Sequence, residues 1–151
     1  MALDGGHGQL DWKLRQNPRV VVLERVNARA LERASLPDDL SRFDIVSIDV
    51  SFISLTLILP SLPARLNHRA DLVALVKPQF EAGRAEIGRG GIVRDPTVHA
   101  RVIEQVVSAG DRLGLSRVNT VESPITGAEG NREFFLHFKR AEDIDADSEP
   151  T

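Results

Sequence analysis

Three nearly continuous apolar stretches constrain this chain most: Val20-Val21-Val22-Leu23, Asp44-Ile45-Val46-Ser47-Ile48-Asp49-Val50 and Ala70-Asp71-Leu72-Val73-Ala74-Leu75-Val76-Lys77. Runs that do not alternate with polar residues suit strands covered on both faces, as in a parallel sheet. Helical patterns stand between and after them, so the organisation is α/β, with no internal repeat. Ser54 is placed to cap a helix whose apolar face is Leu55, Ile58, Leu59, Leu62 and Leu66, although Pro60 and Pro63 should kink it or delay its start. A second helix is expected from Asp95 to Gly114: Asp95 as N-cap, Pro96 at the first helical position, Val98, Val102, Val106 and Leu113 on one face, Gly114 as terminator. Leu115 to Val121 and Arg132 to Lys139 then read as two strands joined by a loop containing Pro124, Gly127 and Gly130. That short connection implies a hairpin, hence an antiparallel edge on a parallel sheet.

Composition narrows the class. In 151 residues, 42% are hydrophobic, enough for one globular domain with a core and too many for a disordered chain. No apolar run approaches the roughly 20 residues needed to cross a bilayer, and no secretory leader pattern is visible. No membrane association and a cytoplasmic location are therefore expected. Cysteine is absent and His7, His68, His99 and His137 are scattered, so no metal site is expected. Residues 141–151 hold five acids and no base, leaving 19 bases against 17 acids in residues 1–140. The chain thus divides into a mildly basic domain over 1–140 and an acidic tail over 141–151, expected to be disordered and without a role in chemistry.

Ligands of open α/β sheets collect at the carboxyl ends of the parallel strands. Asp49 ends one strand there and Lys77 the next. The last strand runs the other way, so its beginning, Asn131-Arg132-Glu133, lies at the same rim. Asp49, Lys77 and Glu133 are thereby expected to converge. A lysine held by carboxylates in a water-poor cleft can position a poor acid such as a ribose hydroxyl or take its proton, and methyl transfer then needs little beyond in-line alignment. The same residues also read as a structural ion pair at a sheet edge.

The stretch from Pro78 to Asp95 carries four glycines and three arginines and exceeds the usual strand-to-helix connection of roughly 2 to 6 residues. Arg84, Arg89 and Arg94 suit phosphates, while the glycines permit backbone closure over a substrate; the bland reading is a solvated flexible loop. Phe52 and Phe80, each three residues past a rim residue, suit base stacking, but core packing is the expectation for both, and Trp12 is expected to be buried against the sheet. At the start, Asp4-Gly5-Gly6-His7-Gly8 has two readings. It is either a nucleotide-binding glycine turn, with Glu24 about twenty residues on as the ribose-binding acid, or the stub of a second strand with Asp4 itself as that acid.

Four segments, IDVSFISL at 48–55, LVKPQFEAGR at 75–84, GRGGIVRDP at 88–96 and SPITGAEGNREF at 123–134, together resemble the hemolysin A (TlyA) family of ribosomal RNA methyltransferases. The resemblance runs from Ala2 to about Arg140 and takes in DGGHGQLDWKLRQNPRV, similar to that family's segment after its second strand. It implies a catalytic domain of the FtsJ type with a Rossmann-like S-adenosylmethionine-dependent methyltransferase fold, a mostly parallel sheet and a C-terminal antiparallel hairpin. It also implies S-adenosylmethionine as cofactor, the ribose 2′-hydroxyl of cytidine in ribosomal RNA as target, and ribosomal RNA or ribosomal subunits as partner. Within the family's Lys-Asp-Lys-Glu tetrad, Asp49 matches the aspartate, Lys77 the second lysine and Glu133 the glutamate. Asp4 matches the acid on the cofactor ribose, Asn27 and Ala28 the adenine-side turn, and Asp49 also borders the cofactor. Arg84, Arg89, Arg94 and Arg132 are the residues expected to meet RNA. The family's first lysine, first strand and glycine-rich loop are expected upstream of Met1, so the domain reads as an N-terminally truncated fragment that need not be active alone. The competing functional class is a non-catalytic RNA- or ribosome-binding module.

Overall fold

A computed structural model describes residues 1–6, 8, 10–33 and 36–141. His7 and the acidic segment from Glu142 onward lie outside the described residues. Among the described residues, nine strands and α-helices follow the order β1 (Ala2–Leu3), α1 (Trp12–Arg15), β2 (Val22–Leu23), β3 (Phe43–Ile48), α2 (Leu55–Ile58), β4 (Leu66–Val76), α3 (Pro96–Asp111), β5 (Leu115–Glu122) and β6 (Phe134–Arg140), with short 3₁₀ turns between them.

The sheet that carries the core has the order β3-β4-β6-β5. β3 runs parallel to β4, with Ile48 opposite Ala74. β6 is antiparallel to both neighbours, pairing Val76 with Phe134 and Glu122 with Phe134 from its two sides. The closing hairpin is as expected, but the sheet is mixed: β6 inserts beside β4, so two of the three pairings in this sheet are antiparallel. β1 and β2 form a separate parallel pair.

The cause of the helix layer is legible in β4. Leu66, Ala70, Leu72, Ala74 and Val76 are all at most 2% exposed and join Leu136 and Phe138 of β6 in the core. Onto this face pack Leu55, Ile58 and Leu59 and the apolar stripe Val98, Val102, Val106 of α3. The α3 to β6 approach is close: a Cβ on Gly110 would stand 2.7 Å from Phe138 Cε1. On the opposite face Val73 and Leu75 are half-buried and Ile45 is 71% exposed, so the expectation of cover on both faces fails among the described residues.

Local chemistry explains where helices stop. Asp95 caps α3 by accepting from Thr97 N at 2.9 Å, Pro96 occupies the first turn, and Gly114 at φ +75° turns the chain into β5. The expected helix from Ser54 to Leu66 is only four residues long. Past Ile58 the prolines withhold amide donors and the chain continues as 3₁₀ turns, Leu62 N to Leu59 O at 3.0 Å and Arg65 N to Leu62 O at 2.8 Å. Leu66 then opens β4 instead of closing a helix. Trp12, expected to be buried, is 66% exposed on the short α1, which has no buried residue.

Candidate active site

Parallel pairing of β3 and β4 delivers Asp49 and Lys77 to one rim, each directly after its strand. The Lys77 ammonium lies 2.7 Å from Asp49 Oδ1 and donates to Ser51 Oγ at 3.1 Å. Its side chain is 14% exposed, whereas that of Asp49 is 68% exposed. The lysine is therefore lodged in the protein with one donor direction left over, and the aspartate faces outward.

Glu133 reaches the same rim from β6. Because Val76 pairs with Phe134, continuing the register sets Lys77 across from Glu133. Glu133 is only 7% exposed, its backbone carbonyl accepts from Ser123 N at 2.8 Å, and its Oε2 accepts from Gln79 Nε2 at 3.0 Å. The backbone at Gly127 passes so close that a Cβ there would stand 2.1 Å from Oε2. The three residues expected to converge do so at the level of strand ends. The only direct side-chain ion pair described among them is Asp49 with Lys77, and Glu133 is held by Gln79.

The loop after Lys77 is built, not slack. Two 3₁₀ turns, Pro78–Phe80 and Arg84–Glu86, are followed by a tight turn in which Gly88 N donates to Ile92 O at 2.8 Å and Gly90 and Gly91 take φ +79° and +76°. Asn131, 2% exposed, then ties the loop to the β5–β6 connection: its Oδ1 accepts from Val93 N at 3.0 Å, and its Nδ2 donates to Gly91 O and Ala128 O at 3.0 and 3.1 Å. Buried His99 meets Val93 O through Nε2 at 2.7 Å, and its ring lies tilted against that of Phe134 at 5.4 Å. The glycines thus shape an anchored turn and leave its Gly88 to Gly91 tip outside the core. Glu81 closes the start of the loop. Oε1 accepts from Leu55 N at 2.8 Å and Oε2 from Ser54 Oγ at 2.5 Å, and burial pushes this carboxyl above its ordinary range in spite of those bonds.

Arg84, Arg89 and Arg94 are all exposed along this loop. Arg84 shares a hollow with Arg29, Phe52 and Phe80. Arg132 is also exposed, but its guanidinium makes a two-pronged bond to Glu122, Nε to Oε1 at 2.5 Å and Nη2 to Oε2 at 2.7 Å, which holds the Glu122 carboxyl below its ordinary range. Phe52 departs from the expected core packing. It is 89% exposed, sits at φ +64°, and its ring lies 4.9 Å from that of Phe80. An aromatic residue in the left-handed region is strained, and such strain gathers at functional sites.

The second reading of the N-terminal motif fits the observed geometry. Ala2–Leu3 is a strand paired with Val22–Leu23, and Asp4 follows it directly, its Oδ1 accepting from Gly6 N at 2.7 Å in a local turn. Glu24 is engaged instead with Gly8 N at 3.2 Å and with Arg15. Asn27 Oδ1 accepts from Arg29 N at 3.0 Å at the head of the 3₁₀ turn beginning with Ala28. Asp4 and Asn27 therefore stand at the carboxyl ends of adjacent parallel strands. A groove of about 400 Å³, bordered by Leu3, Ala28, Val46 and Asp49, separates β1 from β3.

Sequence reasoning missed Gln79, Gly127 and Asn131 as parts of the site. All three lie inside the quoted segments, but only the fold shows that Gln79 and Gly127 face Glu133. Among the described residues no group of three or more metal-ligating side chains occurs, and no helix is long and apolar enough to cross a membrane.

Comparison with known proteins agrees with this architecture. The chain is 46% identical over 143 residues to the 16S/23S rRNA (cytidine-2′-O)-methyltransferase TlyA of Mycobacterium tuberculosis, covering 95% of this chain and 52% of that protein. The crystal structure of a hemolysin candidate from Lactococcus lactis superposes with a TM-score of 0.83 at 47% identity, over 92% of this chain and 65% of that one. An S-adenosylmethionine-dependent methyltransferase structure from Methanosarcina mazei, 14% identical, shares the fold with a TM-score of 0.52 over 85% of this chain and 71% of that one. The chain spans about half the length of the curated relatives it matches. The FtsJ-like methyltransferase family matches residues 1–140, nearly the whole chain, and the chain belongs to that family.

Proposed function

We propose that this chain is the catalytic part of an S-adenosylmethionine-dependent methyltransferase that modifies the 2′-hydroxyl of cytidine ribose in ribosomal RNA. The observation that carries the reading is the Asp49–Lys77 pair at a rim shared with buried Glu133. The cytidine 2′-hydroxyl specificity follows the TlyA relative named above.

The residues suit the cofactor. A carboxylate at a strand end matches a ribose diol, and Asp4 is exposed and, among the described residues, engages one oxygen in its local turn. Gly5 next to it leaves room, since a Cβ there would meet nothing closer than Val26 O at 3.7 Å. Asp4 would hold the ribose, Asn27 and Ala28 the adenine side, and Asp49 the edge of the site toward the lysine. When bound, S-adenosylmethionine supplies a methyl carbon activated by its sulfonium.

The chain's own residues then have simple tasks. Lys77, fixed by Asp49 and Ser51, presents its remaining N–H to the ribose oxygen, orients it and stabilises the negative charge that grows as the hydroxyl proton passes to solvent. Glu133, held from solvent, accepts from the substrate or faces the ammonium across the rim. Positioning of this kind is sufficient for a displacement whose leaving group is already activated. Arg84, Arg89 and Arg94 follow the RNA backbone, Arg132 borders it from beside Glu133, and exposed Phe52 on Phe80 offers a stacking face for a base. The partner is ribosomal RNA or a ribosomal subunit, and a cytoplasmic location follows from that partner.

The test is the identity of the product. Ribosomal RNA is incubated with S-adenosylmethionine and the protein carrying this chain, digested to nucleosides and analysed by mass spectrometry. Appearance of 2′-O-methylcytidine is expected; base-methylated nucleosides, or no methylated product while RNA is still bound, would overturn the reading in favour of another target or of a binding module.

A further inference from the structure

We propose that Gln79 is a positioning residue for the transfer step, acting through Glu133 and not by touching substrate. This rests on the reading of Asp49, Lys77 and Glu133 as the active site.

Glu133 is nearly excluded from solvent, and two things fix its Oε2: the Gln79 Nε2 donor at 3.0 Å, and the backbone at Gly127, which leaves no space for even a methyl group. Gln79 in turn is placed by the 3₁₀ turn Pro78–Phe80, closed by Phe80 N donating to Lys77 O at 2.9 Å. One rigid turn therefore connects the backbone of Lys77 to the carboxylate of Glu133. The other half of the amide shows what the arrangement secures. Gln79 Oε1 is buried and makes no hydrogen bond, a state that destabilises a fold. Turning the amide over would not help, because Oε1 would then oppose the Glu133 Oε2 that now accepts from Nε2. The orientation is dictated by Glu133, at the expense of the amide's own carbonyl. A residue needed only for packing would be better replaced by leucine; a glutamine that leaves its acceptor orphaned serves the carboxylate it donates to.

Three variants of the protein carrying this chain decide the matter, with Lys77→Ala beside them. Gln79→Leu removes the donor, and kcat for methyl transfer should fall by about tenfold or more, as misplacement of a reacting group does, with KM for RNA within about twofold. Gln79→Glu keeps the shape but sets a second carboxyl against Glu133. The pair must then share a proton, so this variant should lose activity as pH rises through a range where the parent does not. In a Glu133→Ala background, which leaves Gln79 no side-chain acceptor at that position, Gln79→Leu should add nothing. A parent-like kcat for Gln79→Leu, or a Gln79→Glu pH profile superimposing on the parent's, would overturn the inference while Lys77→Ala remains inactive. If Gln79→Leu fails to fold, as thermal unfolding would reveal, the pH profile of the near-isosteric Gln79→Glu decides alone. Activity surviving in Lys77→Ala would instead remove the active-site reading itself, and this inference with it.

Discussion

Lys77 and Asp49 are 2.7 Å apart at the ends of neighbouring parallel strands, and they are unequally exposed, the lysine at 14% and the aspartate at 68%. A purely structural surface pair holds both partners in water and contributes little. Here the cation is lodged in the protein while the carboxylate keeps an open side, an arrangement that suits the orienting role proposed for Lys77. Glu133, behind the rim and 7% exposed, completes the proposed site, whose parts come from three strands.

Gly127 is the tightest point of that site. A methyl group at this position would overlap Glu133 Oε2, so Gly127→Ala must displace either the loop or the carboxylate. A destabilisation of about 1 to 3 kcal/mol is expected from overpacking, together with a larger loss of transfer rate. Thermal unfolding and single-turnover kinetics on the same preparation check both. A variant with unchanged rate would show that Glu133 is not needed where it stands.

Phe52 separates function from stability. Because it is 89% exposed and at φ +64°, Phe52→Gly should leave stability within about 1 kcal/mol, unlike the 3 to 5 kcal/mol expected for loss of a core phenylalanine. Methyl transfer to RNA should fall by about fivefold or more, since stacking of one base is worth about 1 to 3 kcal/mol. Calorimetric unfolding together with transfer assays at limiting RNA distinguishes this from a core role.

The arginines of the loop are tested by salt. If Arg84, Arg89 and Arg94 each neutralise a phosphate, replacing all three by alanine should reduce the slope of log affinity against log salt by about 2 to 3. Titration of ribosomal RNA at several salt concentrations gives the slope directly. An unchanged slope would place the RNA path elsewhere.

Much of this was legible in the sequence, for identifiable reasons. The helix from Asp95 carried its own cap, proline and glycine stop, and α3 occupies Pro96–Asp111. Asp49, Lys77 and Glu133 share a rim because each stands at a strand end, and placing them there needs only the strands. What failed required tertiary information. Phe52 and Trp12 are apolar by type, and type argues for burial until the neighbours are known. The helix through Pro60 and Pro63 obeyed its apolar spacing on paper, yet missing amide donors ended it after one turn. Gln79 and Gly127 gave no signal by residue type, since their roles exist only in relation to the Glu133 carboxylate.

Glu81 gives a pH signature. Its carboxyl is raised above the ordinary 4.5, chiefly by burial, so the folded state binds this proton more tightly than the unfolded chain does. Its contribution to stability is therefore full below 4.5 and declines as pH climbs through the raised folded value. Glu81→Gln retains an acceptor for Leu55 N without titrating. The stability difference between variant and parent should accordingly shift toward the variant as pH increases across that window. Denaturant unfolding at a series of pH values checks the sign, and parallel curves would contradict it.

The most direct test of the central claim is the single-turnover rate of methyl transfer to ribosomal RNA by Lys77→Ala in the protein carrying this chain, measured beside its RNA affinity. Loss of an acid–base or charge-stabilising group of this kind costs about 10² to 10⁴ in rate. A fall of that size with RNA affinity unchanged is the result predicted here; a rate within a few fold of the parent would contradict the assignment of the Asp49–Lys77 rim as the active site.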